Sequence, residues 1–214
     1  MSASEIDPKQ IVEAGYNAVA DRYAEWSQNE IKGSPAVEYL EKLISMLPGG
    51  AAVLELGCGN GEPAARMLAP GRQYTGVDLS AEQLRRAQEL VPSGAFVKGD
   101  YTKLVFPPSS TDAVVALYTL THVPRAELAG LVARVASWLY PGGHLLATTV
   151  SRESVDGVYD WLGVPMFFSG MAADASLNLI AEAGLEVLEH EIVCQDEGEE
   201  GKPCFLWVLA RRPE

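Results

Sequence analysis

Val53-Leu54-Glu55-Leu56-Gly57-Cys58-Gly59-Asn60-Gly61 is the stretch whose reading decides the fold. A short apolar strand, Ala51–Leu56, ends in glycines at alternate positions: Gly57, Gly59 and Gly61. Pro63 follows, a residue tolerated in the first turn of a helix. Glycine is needed where a backbone turns sharply and leaves room for a ligand at a strand end, so strand, glycine turn and helix form a nucleotide cradle. The dinucleotide fingerprint Gly-x-Gly-x-x-Gly/Ala fails at its sixth position, which is Glu62. A carboxylate there would repel a pyrophosphate at the helix N-terminus, which disfavours a nicotinamide cofactor.

Composition narrows the classes further. A chain of 214 residues is expected to form one domain (1–214) and to bury roughly 70% of its unfolded surface. A hydrophobic content of 48% with charges interspersed is globular. No run approaches the roughly 18–20 apolar residues of a membrane span. Met1–Asp7 shows no basic segment followed by an apolar stretch, so no secretory leader and a cytoplasmic location are expected. Three cysteines, Cys58, Cys194 and Cys204, lack metal-ligand spacing and read as reduced thiols with no metal site. A net charge of −13 without a visible basic patch argues against nucleic acid as partner.

Outward from the glycine run, strands and helices alternate. Asp7-Pro8-Lys9-Gln10 reads as a capping box opening a helix to about Trp26, with Val12, Tyr16, Val19, Tyr23 and Trp26 on one face. Gly33-Ser34-Pro35 opens a second helix with Val37, Leu40, Ile44 and Leu47 as its stripe, stopped by Pro48-Gly49-Gly50. Strands are expected near 51–57, 73–78, 95–99, 112–118 and 144–150, and helices near 62–69, 81–91, 124–139 and 174–183. A loop-rich insert covers about 151–172, and strands near 185–194 and 203–210 close the chain as an antiparallel hairpin. The alternation implies a mostly parallel, doubly wound α/β sheet covered on both faces.

Glu-x-Gly-x-Gly-x-Gly, from Glu55 to Gly61, resembles motif I of the class I S-adenosylmethionine-dependent methyltransferases, and particularly the small-molecule type 11 and type 25 domains. Tyr74–Ser80 resembles that family's second strand, Phe96–Tyr101 its third, and Asp112–Val123 with Leu139–Gly143 its fourth strand, helix and turn. The resemblance covers almost the whole chain after residue 51. It implies a Rossmann-like sheet of seven strands, one antiparallel, under an N-terminal helical cover (1–48). It also implies S-adenosyl-L-methionine as cofactor, held by Glu55, Gly57, Cys58, Gly59, Gly61, Asp78, Leu79, Gln83, Asp100, Tyr101 and Tyr23. Asp78 is assigned to the ribose diol, Asp100 to the adenine amine, and Glu55 to a supporting role behind the loop.

Residue chemistry gives independent support. In open parallel sheets, ligands lie beyond the carboxyl ends of the strands. Asp78 lies 21 residues after Gly57, near the interval at which an acid reaches a ribose, and a carboxylate can accept one hydrogen bond on each oxygen. An amide at 78 would retain one acceptor. His122 and Tyr118 stand at the end of the fourth strand, where His122 has two open readings, base or structural residue. His144 and His190 read as structural or surface residues. Tyr16 with Trp161, Met166, Phe167 and Phe168 of the insert is expected to wall an apolar acceptor pocket.

The expected reaction is methylation of a small apolar or aromatic metabolite by a monomer or homodimer, without nucleic acid or membrane partners. A non-catalytic S-adenosylmethionine-binding or scaffold protein is the alternative, ahead of an NAD(P)-dependent oxidoreductase.

Overall fold

The computed structural model describes residues 7–29, 32–152 and 154–214, so the part of the leader reading that concerns residues 1–6 lies outside the described residues. In chain order the elements are α1 (Pro8–Ala18), α2 (Ala20–Asn29), α3 (Ala36–Met46), β1 (Ala52–Leu56), α4 (Ala64–Leu68), β2 (Gln73–Asp78), α5 (Ala81–Leu90) and β3 (Ala95–Lys98). They continue with β4 (Thr111–Ala116), α6 (Arg125–Trp138), β5 (Leu139–Val150), β6 (Ser154–Trp161), β7 (Val164–Gly170), α7 (Ala173–Glu182), β8 (Glu186–Cys194) and β9 (Cys204–Arg211). The main sheet has seven strands in the order β3-β2-β1-β4-β5-β9-β8. Strands β1 to β5 are parallel, and β9 runs antiparallel to both its neighbours. Strand order reverses at β1, with β2 on one side and β4 on the other, which opens a crevice above the β1 and β4 carboxyl ends.

Alternate residues of the central strands feed two cores. Leu54 and Leu56 of β1 pack with Leu131 and Val135 of α6, while Val53 packs with Leu40 and Leu43 of α3 and Leu68 of α4. A strand buried on both faces reads as a near-continuous apolar run, as Ala52–Leu56 does apart from the buried Glu55. No helix among the described residues is long and apolar enough to cross a membrane.

Four expectations are corrected. The first helix breaks at Val19, which leaves helical dihedrals (φ −100°, ψ 11°) and buries its side chain with Trp26 and Leu162. The α3 stripe is Ala36, Tyr39, Leu40 and Leu43, with Val37 exposed. Both faces have helical spacing, and Tyr39 stacking on Trp207 with centroids 5.1 Å apart selects the observed one. The insert is not a loop: β6 and β7 form their own antiparallel ribbon around Leu162 (φ 49°) and Gly163 (φ 79°), a two-residue turn of the hand that matches strand twist. Finally, Cys194 and Cys204 are paired across β8 and β9 and joined as a disulfide, so Cys58 alone is a free thiol.

Candidate active site

The glycine turn is tied down by β2, since the N–H groups of Gly57 and Cys58 both donate to the Val77 carbonyl, at 2.8 and 3.0 Å. Gly57 has φ +68°, and a Cβ there would lie 2.1 Å from Thr119 Oγ1, so the fold itself demands glycine. Gly59, at φ +51°, differs: a Cβ would meet nothing within 4 Å, because this residue faces the open cleft. Gly61 sits against Ala87 and Leu90 of α5, away from the cleft.

Asp78, the last residue of β2, holds this turn. Its Oδ2 accepts from the Gly59 N–H at 2.9 Å and its Oδ1 from the Ser80 N–H at 2.8 Å. Burial raises its pKa above the usual carboxylate value, and the backbone donors oppose that only in part. Each oxygen keeps one lone-pair direction free, as a diol requires. Ser80 then caps α5, accepting from the Gln83 N–H at 3.1 Å.

A cleft of about 610 Å³, counting its open mouth, runs along the strand ends. Gly57, Gly59, Asp78, Leu79, Asp100 and Tyr101 line one end. Asp100 Oδ1 accepts from the Thr102 N–H (2.9 Å) and hydroxyl (2.6 Å), and Lys9 and Lys103 stand 3.3 Å from its Oδ2. Burial alone would raise its pKa, but Thr102 and the two lysines hold it below the ordinary value. The Tyr101 hydroxyl lies 2.8 Å from Thr119 Oγ1.

Tyr118 and His122 line the other end, under Tyr16 of α1 and Tyr23 of α2. Tyr118 sits in the left-handed region (φ 58°); its hydroxyl donates to Gln195 Oε1 at 3.0 Å and accepts from Ser34 at 2.6 Å. His122 Nδ1 lies 2.8 Å from the Phe167 carbonyl, and Nε2 lies 2.9 Å from the Tyr16 hydroxyl. A carbonyl only accepts, so Nδ1 carries the proton and Nε2 accepts from Tyr16. Burial pushes the His122 pKa down to about 4, so the ring is neutral at ordinary pH. Burial likewise pushes Tyr23 up to about 12.

Several expected site residues lie behind the cleft rather than in its wall. Glu55 is buried, accepts from the Tyr74 hydroxyl, and has a pKa raised by burial to about 8. Cys58 is buried, with its thiol pKa raised by that burial. Gln83 is fully buried, and neither end of its side-chain amide has a hydrogen-bond partner. Met166 and Phe167 pack with Val12 and Tyr16, and Phe168 lies against His122 with centroids 4.9 Å apart. Trp161 stands among Tyr16, Tyr23 and Trp26, with centroids 5.6, 6.0 and 5.4 Å away. These four buttress the helices that roof the cleft. Sequence reasoning missed Thr119 and Lys9; the available signal for Lys9 was a lysine in register with Val12 and Tyr16 on the buried face of a helix.

Comparison with known proteins agrees with this architecture. A family model described as a methyltransferase domain matches residues 53–143. A sterol 24-C-methyltransferase of Gibberella zeae is 31% identical over 198 residues, covering 80% of this chain and 48% of the fungal protein. The 27-O-demethylrifamycin SV methyltransferase of Amycolatopsis mediterranei is 33% identical over 208 residues, covering 85% of this chain and 75% of that protein. The crystal structure of Burkholderia thailandensis 1,6-didemethyltoxoflavin-N1-methyltransferase aligns with a TM-score of 0.73 at 18% identity, over 100% of this chain and 94% of that one, a likeness of fold. The chain belongs to the class I S-adenosylmethionine-dependent methyltransferases. It spans about half the length of the sterol enzyme and three quarters of the rifamycin enzyme.

Proposed function

We propose that the chain transfers a methyl group from S-adenosylmethionine to a small, largely apolar or aromatic metabolite bound at the Tyr16, Tyr23, Tyr118 and His122 end of the cleft. The observation that carries this reading is the lining: that end is built of rings and hydroxyls, and Lys9, the one cation among the described lining residues, sits at the opposite end with carboxylate partners. An anionic acceptor would find no free counter-charge there. The two curated relatives act, by name, on a sterol and a rifamycin, both small molecules.

The residues of the other end suit the cofactor. Gly59 leaves space at the strand end, and Asp78 offers carboxylate acceptors to the ribose. Bound there, S-adenosylmethionine supplies an electrophilic methyl group on a sulfonium sulfur. Orientation of the acceptor against it is the chain's main contribution, worth roughly 7–11 kcal/mol in well-aligned cases. The roof helices exclude water, which helps a step in which charge disperses. His122 is neutral, and its Nε2 already accepts from Tyr16, so Tyr16 is the polar group presented to an acceptor and His122 orients its hydroxyl from behind. The Tyr118 hydroxyl is committed to Ser34 and Gln195, which leaves Tyr118 a wall.

The test is incubation of the protein with methyl-labelled S-adenosylmethionine and a metabolite extract. A labelled small molecule is expected. Label recovered only in RNA or protein, or no transfer at all, would sink the proposal.

A further inference from the structure

We infer that Lys9 is a positioning residue that clamps α1 over the adenosine end of the cleft and thereby sets how long the cofactor stays bound. The inference rests on the cofactor occupying this cleft. Lysine is almost never buried without partners, yet the Lys9 side chain is only 9% exposed. Its ammonium group reaches Thr102 Oγ1 at 2.7 Å, Glu127 Oε2 at 2.5 Å and Asp100 Oδ2 at 3.3 Å. Of the three ammonium hydrogens, two go to Thr102 and Glu127, and Asp100 stands beside the group as an ion-pair partner. Burial alone would lower its pKa; the hydrogen bond to Glu127 and the charges of Asp100 and Glu127 outweigh that, and the net shift is upward. The group is therefore held charged.

The partners come from separate parts of the fold. Asp100 and Thr102 follow β3, and Glu127 lies in the first turn of α6. Lys9 thus joins the start of α1 to the sheet and to α6 at one point. Lys9, Asp100 and Thr102 all line the cleft, as do Val12 and Tyr16 further along α1. A ligand enclosed between this helix and the strand ends leaves when α1 lifts, and lifting the start of α1 breaks the Lys9 contacts. Charge-assisted bonds of this kind are roughly twice as strong as neutral ones, so their rupture weighs on the release step. Glu127 is 41% exposed, which places the water-facing side of the clamp there.

The experiment is stopped-flow release of S-adenosylhomocysteine from the parent chain, Lys9→Met and Glu127→Gln, with amide hydrogen exchange over α1. Lys9→Met is expected to raise koff by about tenfold or more with kon changed far less, and to speed exchange in α1 while leaving β1 and β4 protected. Glu127→Gln, which lies outside the cleft lining and keeps an oxygen acceptor for Lys9, should raise koff by about threefold. Should Lys9→Met fail to fold, Glu127→Gln decides the matter alone. Parental koff in folded variants overturns the clamp while leaving the cofactor site intact. A parent chain that binds no S-adenosylhomocysteine instead overturns the site reading, and the clamp with it.

Discussion

Asp78 offers the sharpest test of the cofactor site, because both its oxygens are already at work before any ligand arrives. In Asp78→Ala, the Gly59 and Ser80 N–H groups lose acceptors at 2.9 and 2.8 Å. Hydrogen bonds to a charged partner contribute about 1.5–3 kcal/mol each, and water entering the cleft offsets part of that, so a stability loss of about 2–4 kcal/mol is expected. The diol then loses two charge-assisted contacts, a further ~2–4 kcal/mol of binding, or roughly 30- to 1,000-fold in Kd.

Asp78→Asn separates this geometry from a mere need for an acceptor. From sequence alone the amide looks mild, since it keeps one oxygen. In the structure both oxygens receive N–H donors, so the amide nitrogen must face either Gly59 or Ser80, donor against donor. Asn is therefore expected to lie close to Ala, with Kd raised at least about 30-fold. The assay is calorimetric titration with S-adenosylhomocysteine on variants shown by circular dichroism to be folded. A folded Asp78→Ala or Asp78→Asn that binds within threefold of the parent would refute the reasoning.

Gly57→Ala should cost about 2–5 kcal/mol of stability, from a left-handed backbone and a methyl driven into Thr119. Gly59→Ala should cost only about 1–2 kcal/mol but weaken S-adenosylhomocysteine binding; equal denaturation midpoints for the two would contradict this. Glu55 titrates at about 8 when folded, against 4.5 as its ordinary value, so the folded state keeps a proton that the unfolded state has lost. The stability it contributes is complete below 4.5 and drains away as pH rises towards 8, by at most about 4–5 kcal/mol. His122 acts in the opposite direction between about 4 and 6.5, which leaves pH 6.5–8 as the window belonging to Glu55. Glu55→Gln should flatten the fall of the urea midpoint across that window, and an unchanged slope would count against the buried-acid account. Trp161→Ala should lower stability by about 3–4 kcal/mol and weaken cofactor and acceptor together, because Trp161 props up both roof helices; a parental Tm would exclude this.

What could be read from the sequence follows from what backbone topology determines by itself. A parallel strand delivers its last residues to one edge of the sheet wherever its side chains pack, so Gly57, Gly59, Asp78, Asp100 and Tyr118 fall on the cleft as their strand-end positions imply. The ribbon 154–170 was harder to read. Pro165 stands inside its second strand, where proline argues against a strand reading, and the turn at Leu162-Gly163 places a leucine, rather than the usual asparagine or aspartate, at a left-handed position. Once that segment is taken for a loop, its aromatics have no assigned face, and Trp161 is sent to the acceptor instead of to Tyr16, Tyr23 and Trp26. The partners of Lys9 were illegible for another reason: Asp100, Thr102 and Glu127 come together only in three dimensions. The disulfide depends in the same way on register, which sets Cys194 opposite Cys204.

The attachments of the roof also bear on the order in which the molecule can be made. Trp26 Nε1 donates to the Glu197 carbonyl at 3.2 Å, Lys32 pairs with Asp196, and Ser34 reaches Gln195 through Tyr118. Synthesis runs from the N-terminus, so α1 and α2 leave the ribosome ahead of every seat they take: Asp100, Thr102 and Glu127 for Lys9, the β6–β7 ribbon for Val12 and Tyr16, and last the β8–β9 turn for Trp26, some 170 residues later. The helices that emerge first are among the last to be fully fastened. A chain stalled before residue 195 can build β1, β2, the glycine turn and the Lys9 contacts but lacks the Trp26 attachment. The roof is thereby completed only once residue 197 has been added.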